Sequence, residues 1–152
     1  MQNVEIKDLN PQDFTSDKQR DLYQYWKGIR GDLLMPSRQD LNPMDIPHLL
    51  SAIWMADVID VEPPKFKVRL FGTDLVRAFQ LEGTNRPLDE VSFTGEIIIR
   101  LTKLVRTRQS YFYACDFPVE SDDYKYYSTL TLPMSSDNEN VDIILSYVHC
   151  YC

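Results

Sequence analysis

The residues Lys65-Phe66-Lys67-Val68-Arg69-Leu70-Phe71, followed at once by Gly72-Thr73-Asp74-Leu75, decide how this chain folds. Cations and hydrophobic residues alternate, so a strand here puts Phe66, Val68 and Leu70 on one face and Lys65, Lys67 and Arg69 on the other. Gly72 breaks the alternation. Thr73 or Asp74 can then cap a two-turn helix whose Leu75, Ala78 and Phe79 face inward. Just upstream, residues 51–60 are almost wholly apolar and read as a buried strand, and Pro63 and Pro64 turn the chain. The two strands therefore pair antiparallel, and a helical segment follows directly.

Working outward, the turn-rich run 82–87 leads to a longer helix predicted over 94–108. Ile97, Ile98, Leu101, Leu104 and Val105 form its apolar stripe, and Arg100, Lys103 and Arg106 lie opposite, a basic face that could contact an acidic partner or a phosphorylated ligand but reads first as a solvated one. Glu96 and Arg100 have the spacing of a helical ion pair. Three strands follow, near 111–117, 126–132 and 141–151, separated by turns rich in Ser, Asp and Asn. Towards the N-terminus, residues 35–50 carry Pro36, Pro43 and Pro47 and form a pinned irregular segment. Before them, Ser16 with Gln19 fits a capping box for a helix over about 17–29, ended by Gly28 and Gly31. Leu22, Tyr25, Trp26 and Ile29 make its apolar stripe, and residues 1–15 read as a loose lead-in.

The order is helix, two strands, a helical block, then three strands. It predicts an α+β fold: a five-stranded antiparallel sheet with helices on one face and an N-terminal helical extension. The helical block should roof the sheet and leave a concave space beneath. The 152 residues suit one domain, divided as an extension over 1–50 and a sheet domain over 51–152.

Composition narrows the function. The net charge is −7, and from residue 111 onward Lys125 is the only cation against seven acidic side chains, so a phosphate backbone would be repelled and nucleic acid is not expected. The longest uncharged stretches, 46–56 and 126–136, are eleven residues each and contain proline, far short of the ~20 apolar residues of a membrane span. No signal-peptide pattern opens the chain, so a cytoplasmic location is expected. Three cysteines, an odd number, suit reduced thiols rather than a disulfide framework.

Particular residues carry a resemblance. Tyr25, Trp26, Arg30, Pro36, Arg38, Asp40, Pro43, Ile46, Leu49 and Leu50, then Phe66, Arg69, Leu70, Gly72 and Thr73, then Asn85-Arg86-Pro87-Leu88 and Leu130-Thr131-Leu132-Pro133, resemble the stand-alone PAS-like family found in alphaproteobacteria. The chain departs from it at Asn85 and Gln80, where the family often has glycine; Asn is the next best residue at positive φ. The resemblance implies a PAS-like domain: a sensory or regulatory module that binds a small molecule or a signalling protein and signals through non-covalent contacts, without chemistry. The 152 residues are used up by this fold and its N-terminal helix, so an attached output domain is not expected. Flavin-binding relatives would need a cysteine near 83–87 and haem-binding ones a histidine on the long helix. This chain has neither, so no cofactor is expected. Helices like 17–29 pack on the outer sheet face of their own or a second subunit, so Leu22, Tyr25, Trp26 and Ile29 are candidates for a homodimer interface.

Catalytic motifs are missing: no G-x-S-x-G, no phosphate loop, no H-E-x-x-H and no C-x-x-C. His48 and His149 read as hydrogen-bonded structural histidines. Cys150 and Cys152 would need Cys115 to hold a metal, and the PAS topology that the resemblance implies puts an intervening strand between it and them, so no metal site is expected. Trp54, Phe66, Leu70, Phe79, Leu101, Tyr113 and Tyr126 are the candidate ligand-binding residues. Tyr111 and Tyr127 lie on the same strands, and which face each tyrosine occupies depends on register. The rival class is a small cone-shaped enzyme of the steroid-isomerase kind, with Asp57 or His149 as a buried base. That fold places its long helices before most of its sheet, so the element order favours the sensory module.

Overall fold

The computed structural model describes residues 9–59 and 61–152. Most of the proposed lead-in, residues 1–8, and the proposed last residue of the first strand, Asp60, lie outside them. The expected α+β architecture is present: a five-stranded antiparallel sheet in the order β2-β1-β5-β4-β3. Its strands are β1 (Ile53–Ile59), β2 (Lys65–Phe71), β3 (Tyr111–Asp116), β4 (Tyr126–Met134) and β5 (Ile143–Tyr151). The last strand pairs with the first, bringing Met55 opposite Leu145.

Between β2 and β3 run α2 (Thr73–Phe79), a 3-10 turn at Leu88–Glu90, and α3 (Gly95–Thr107). They cover one face of the sheet over Trp54, Ala56, Phe66, Val68, Tyr127, Ile144 and Val148. The other face carries Ile53, Met55, Leu130, Leu132, Met134, Ile143, Leu145 and Tyr147, and α1 (Asp17–Arg30) packs there with Leu22, Tyr23 and Trp26. The alternation of β4 and β5 thus builds two cores from one sheet.

Two local details position these layers. Gly72 lies where an added Cβ would sit 2.2 Å from the Ser51 carbonyl oxygen, and its N–H donates to the Ile53 carbonyl at 2.9 Å. Only glycine lets β2 run so close to the entry of β1 before α2 begins. Gln80, the C-cap of α2, and Asn85 have φ of 55° and 67°, so both departures from glycine occupy the left-handed region.

The capping box expected at Ser16 is only half made. The Ser16 hydroxyl accepts from Lys18 N–H, but Gln19 turns away from it. Gln19 Oε1 accepts from Thr15 N–H at 3.2 Å and its Nε2 donates to the Ser128 hydroxyl at 2.9 Å. Fully buried beside the sheet, that amide must satisfy both ends there, and it anchors α1 to β4.

Candidate functional site

Between the sheet and the helical block is a cavity of about 70 Å³. That is below the roughly 300–1,000 Å³ of drug-sized sites, so the space suits a small or slender molecule. Trp54 and Phe71 wall one end, across the β1–β2 pair. Leu75 and Phe79 come from α2, Leu88 and Val91 from the turn, and Ile97 and Arg100 from α3. Phe79 stacks on Phe117 with ring centroids 4.9 Å apart and on Phe93 at 5.8 Å, closing a side with aromatic surface. The mouth segment is tied to the start of α3 by Thr94, whose buried hydroxyl lies 2.8 Å from both the Leu88 and Val91 carbonyls.

The floor is polar at its centre. Tyr111, Tyr127, Thr129, Thr131 and Ser146 point into the cavity from β3, β4 and β5. Thr131 and Ser146 lie opposite one another and share a hydrogen bond at 3.1 Å. Burial raises the pKa of Tyr111, with Thr131 and Arg100 opposing it. Burial also raises Tyr127, reinforced by its hydrogen bond with Cys115, while Arg100 again opposes. Both phenols are therefore neutral hydrogen-bonding groups at physiological pH.

Of the residues expected to bind a ligand, Trp54 and Phe79 line the cavity. Phe66 and Leu101 are buried in the same core but behind its walls. Leu70 is a correction: it lies on the opposite face. The register slips between Met55 and Ala56, so Val68 pairs with Ala56 and Leu70 with Met55, leaving Arg69 as the extra residue of a β-bulge. After the bulge the faces exchange, so Phe71 enters the cavity and Leu70 lines an outer groove. Tyr113 shares the inner face of β3 but sits at the sheet edge, 42% exposed and outside the cavity. Tyr126 is on the outer face, where it packs on Tyr151 with centroids 5.7 Å apart.

Two further expectations change. Leu22 and Trp26 are buried against the chain's own sheet, and Trp26 Nε1–H donates to the Pro133 carbonyl at 3.0 Å. Tyr25 and Ile29 pack at the margin of that same core, so the stripe is covered within one chain. Arg100 does not join a solvated face or pair with Glu96. Its guanidinium turns over the sheet, 3.9 Å from the Tyr113 ring centroid, and it lines the cavity. Arg106 instead pairs with Glu62.

Sequence reasoning placed Arg100 on a basic helix face and Thr131 in a family motif without assigning either to the cavity, and it passed over Thr129 and Ser146. A signal for the three hydroxyl residues was there: they interrupt strongly apolar strands at alternate positions, on one face, as a polar patch inside a core would. For Arg100 the helical wheel pointed the wrong way, because its long side chain reaches around the helix to the sheet edge.

His149 and Asp57 both project from the face opposite the cavity. His149 Nδ1 lies 2.8 Å from the Thr15 hydroxyl, and Asp57 pairs with Arg69 at 3.5 Å. No helix among the described residues is long and apolar enough to cross a membrane.

Comparison with known proteins gives three findings. Among solved structures the chain is similar to the PAS domain of histidine kinase ThkA, with 13% identity, a TM-score of 0.48, and coverage of 64% of this chain and 95% of that one. No curated protein matches it. The profile of the PAS domain family matches residues 14–145, a span from just before α1 into β5. With that match over most of its length, the chain belongs to the PAS domain family.

Proposed function

We propose that this PAS domain is a sensory or regulatory module that takes up a small molecule in the cavity beneath α3 and signals to a protein partner by changing its surface contacts. The observation that carries this reading is the cavity itself: about 70 Å³ roofed by α2 and α3, with aromatic walls and a central strip of hydroxyl groups. Apolar walls supply affinity and a few converging polar groups supply orientation, which is the usual division of labour in a ligand site. The module acts by binding rather than turnover. Supporting this, Asp57 and His149, the bases an isomerase-like enzyme would need, lie outside the cavity lining.

A thermal-shift screen of metabolites tests the proposal. A ligand at 100 times its Kd stabilises the fold by about 2.7 kcal/mol, which for a domain of this size raises Tm by roughly 5 to 10 °C. Thr129→Phe, which fills the floor, should abolish that shift while far-UV circular dichroism stays unchanged. A ligand that shifts both proteins equally binds elsewhere and defeats the proposal. So does a screen in which no compound shifts the wild type.

A further inference from the structure

Arg100 is chemically out of keeping with its surroundings. Its Nε is buried without a hydrogen-bond partner, and it makes no ion pair with any described residue. Among the described residues it is the only charged side chain on the cavity wall, and no Asp or Glu lines that space. Its guanidinium stacks on the Tyr113 ring, 3.9 Å from the centroid, and its neutral hydrogen-bonding neighbours in the cavity are the Tyr111 and Tyr127 hydroxyls. A guanidinium carries five N–H donors in a planar fork, and stacking on a ring face uses none of them. A half-buried cation with a buried, unpartnered Nε and no counter-charge is under-satisfied, and an anion entering the cavity would supply the missing partner.

We infer that the ligand of this cavity is an apolar molecule ending in a carboxylate, and that Arg100, held between the cavity and the Tyr113 ring, is the residue that reads the acid head. This rests on the cavity being the binding site. The apolar walls set the body of the ligand, with Trp54 and Phe79 marking its far reach. The single cation sets the head. One guanidinium balances one carboxylate and matches it two bonds to two oxygens. A phosphomonoester, with a charge of about −1.5 to −2 at neutral pH, would keep an uncompensated charge in the same apolar space. The neutral hydroxyls of Tyr111 and Tyr127 lie beside the guanidinium and can donate to the same oxygens.

Matched pairs test this: octanoate against 1-octanol, and 4-phenylbutanoate against 4-phenyl-1-butanol, titrated calorimetrically into the full chain. The acids should bind wild type at least about tenfold more tightly than the alcohols, the scale of one charge-assisted hydrogen bond. In Arg100→Gln that ratio should fall to near one while the alcohols keep their affinity within about threefold. Arg100→Lys should retain part of the preference, because the charge stays and the fork is lost. A purely structural Arg100 would lower Tm in both variants and leave the ratio untouched, which overturns the inference. If acids and alcohols bind wild type equally, the acid head is wrong and the cavity reading stands. If none of the four binds, this ligand class is excluded; the cavity reading falls only if the metabolite screen is silent too.

Discussion

Trp54 of β1 stands directly opposite Phe71 of β2, and both rings wall the cavity. The pairing exists because Arg69 is inserted at the bulge, which turns Phe71 inward and Leu70 outward. Leu70→Ser should therefore cost less than about 1 kcal/mol, since the side chain is already 39% exposed. Phe71→Ala should cost about 1–3 kcal/mol and weaken ligand binding as well. Urea unfolding of the two variants measures the difference. Equal losses would mean that the faces do not exchange at Arg69.

Gly72 and Gly28 should respond to alanine with opposite signs. At Gly72 the new Cβ meets the Ser51 carbonyl at 2.2 Å, and backbone cannot yield as a side-chain tip can. We expect a loss of more than about 2 kcal/mol, in the range of overpacking or worse. Gly28 lies inside α1 with open space around it, so Gly28→Ala should gain about 0.5–1 kcal/mol from helix propensity. Denaturation midpoints check both.

Trp26→Ala should cost about 3–5 kcal/mol, because it opens a cavity under α1 and strands the Pro133 carbonyl. The contact lies within one chain, so the loss should be the same at low and high protein concentration. A loss that grows on dilution would point instead to a subunit interface on this helix.

Acid should weaken the fold partly through His149. Burial holds its imidazole below the ordinary value of about 6.5. The unfolded chain then binds the proton more readily, so this contribution is intact above pH ~6.5, declines as pH falls below it, and levels off under the lowered folded value. His149→Asn should lose less stability than wild type between pH 7.5 and 5.5, measured by urea midpoints. Parallel losses would show that the imidazole does not contribute.

The cysteines should alkylate in order of exposure. Cys152 is exposed, whereas the Cys150 thiol is pushed up to about 12 by burial and secondarily by the negative charge of Asp74. Iodoacetamide at pH 8 should label Cys152 well before Cys150 in the folded protein, and mass spectrometry of peptides reads the order. In urea the two rates should converge.

Much of this molecule is determined by its sequence alone, because the determinants are local. Alternation at Lys65–Phe71, the apolar stripe of 97–105 and the Ser16 cap each set an element within one or two turns of chain, and the order of elements then leaves little choice of fold. The resemblance to PAS-like proteins could be read for the same reason, since its motifs are short and sit at turns. The full lining of the cavity could not. Its membership depends on parity, and a single inserted residue at Arg69 exchanged Leu70 for Phe71. Tyr113 and Tyr126 sit on neighbouring edge and outer positions that only the pairing of β3 with β4 and β4 with β5 defines. Arg100 illustrates the limit best. By helical position it belongs to a solvated face, but the Tyr113 ring at the sheet edge gives its cation a surface to lie on, and that ring reaches it only once the strand order has closed.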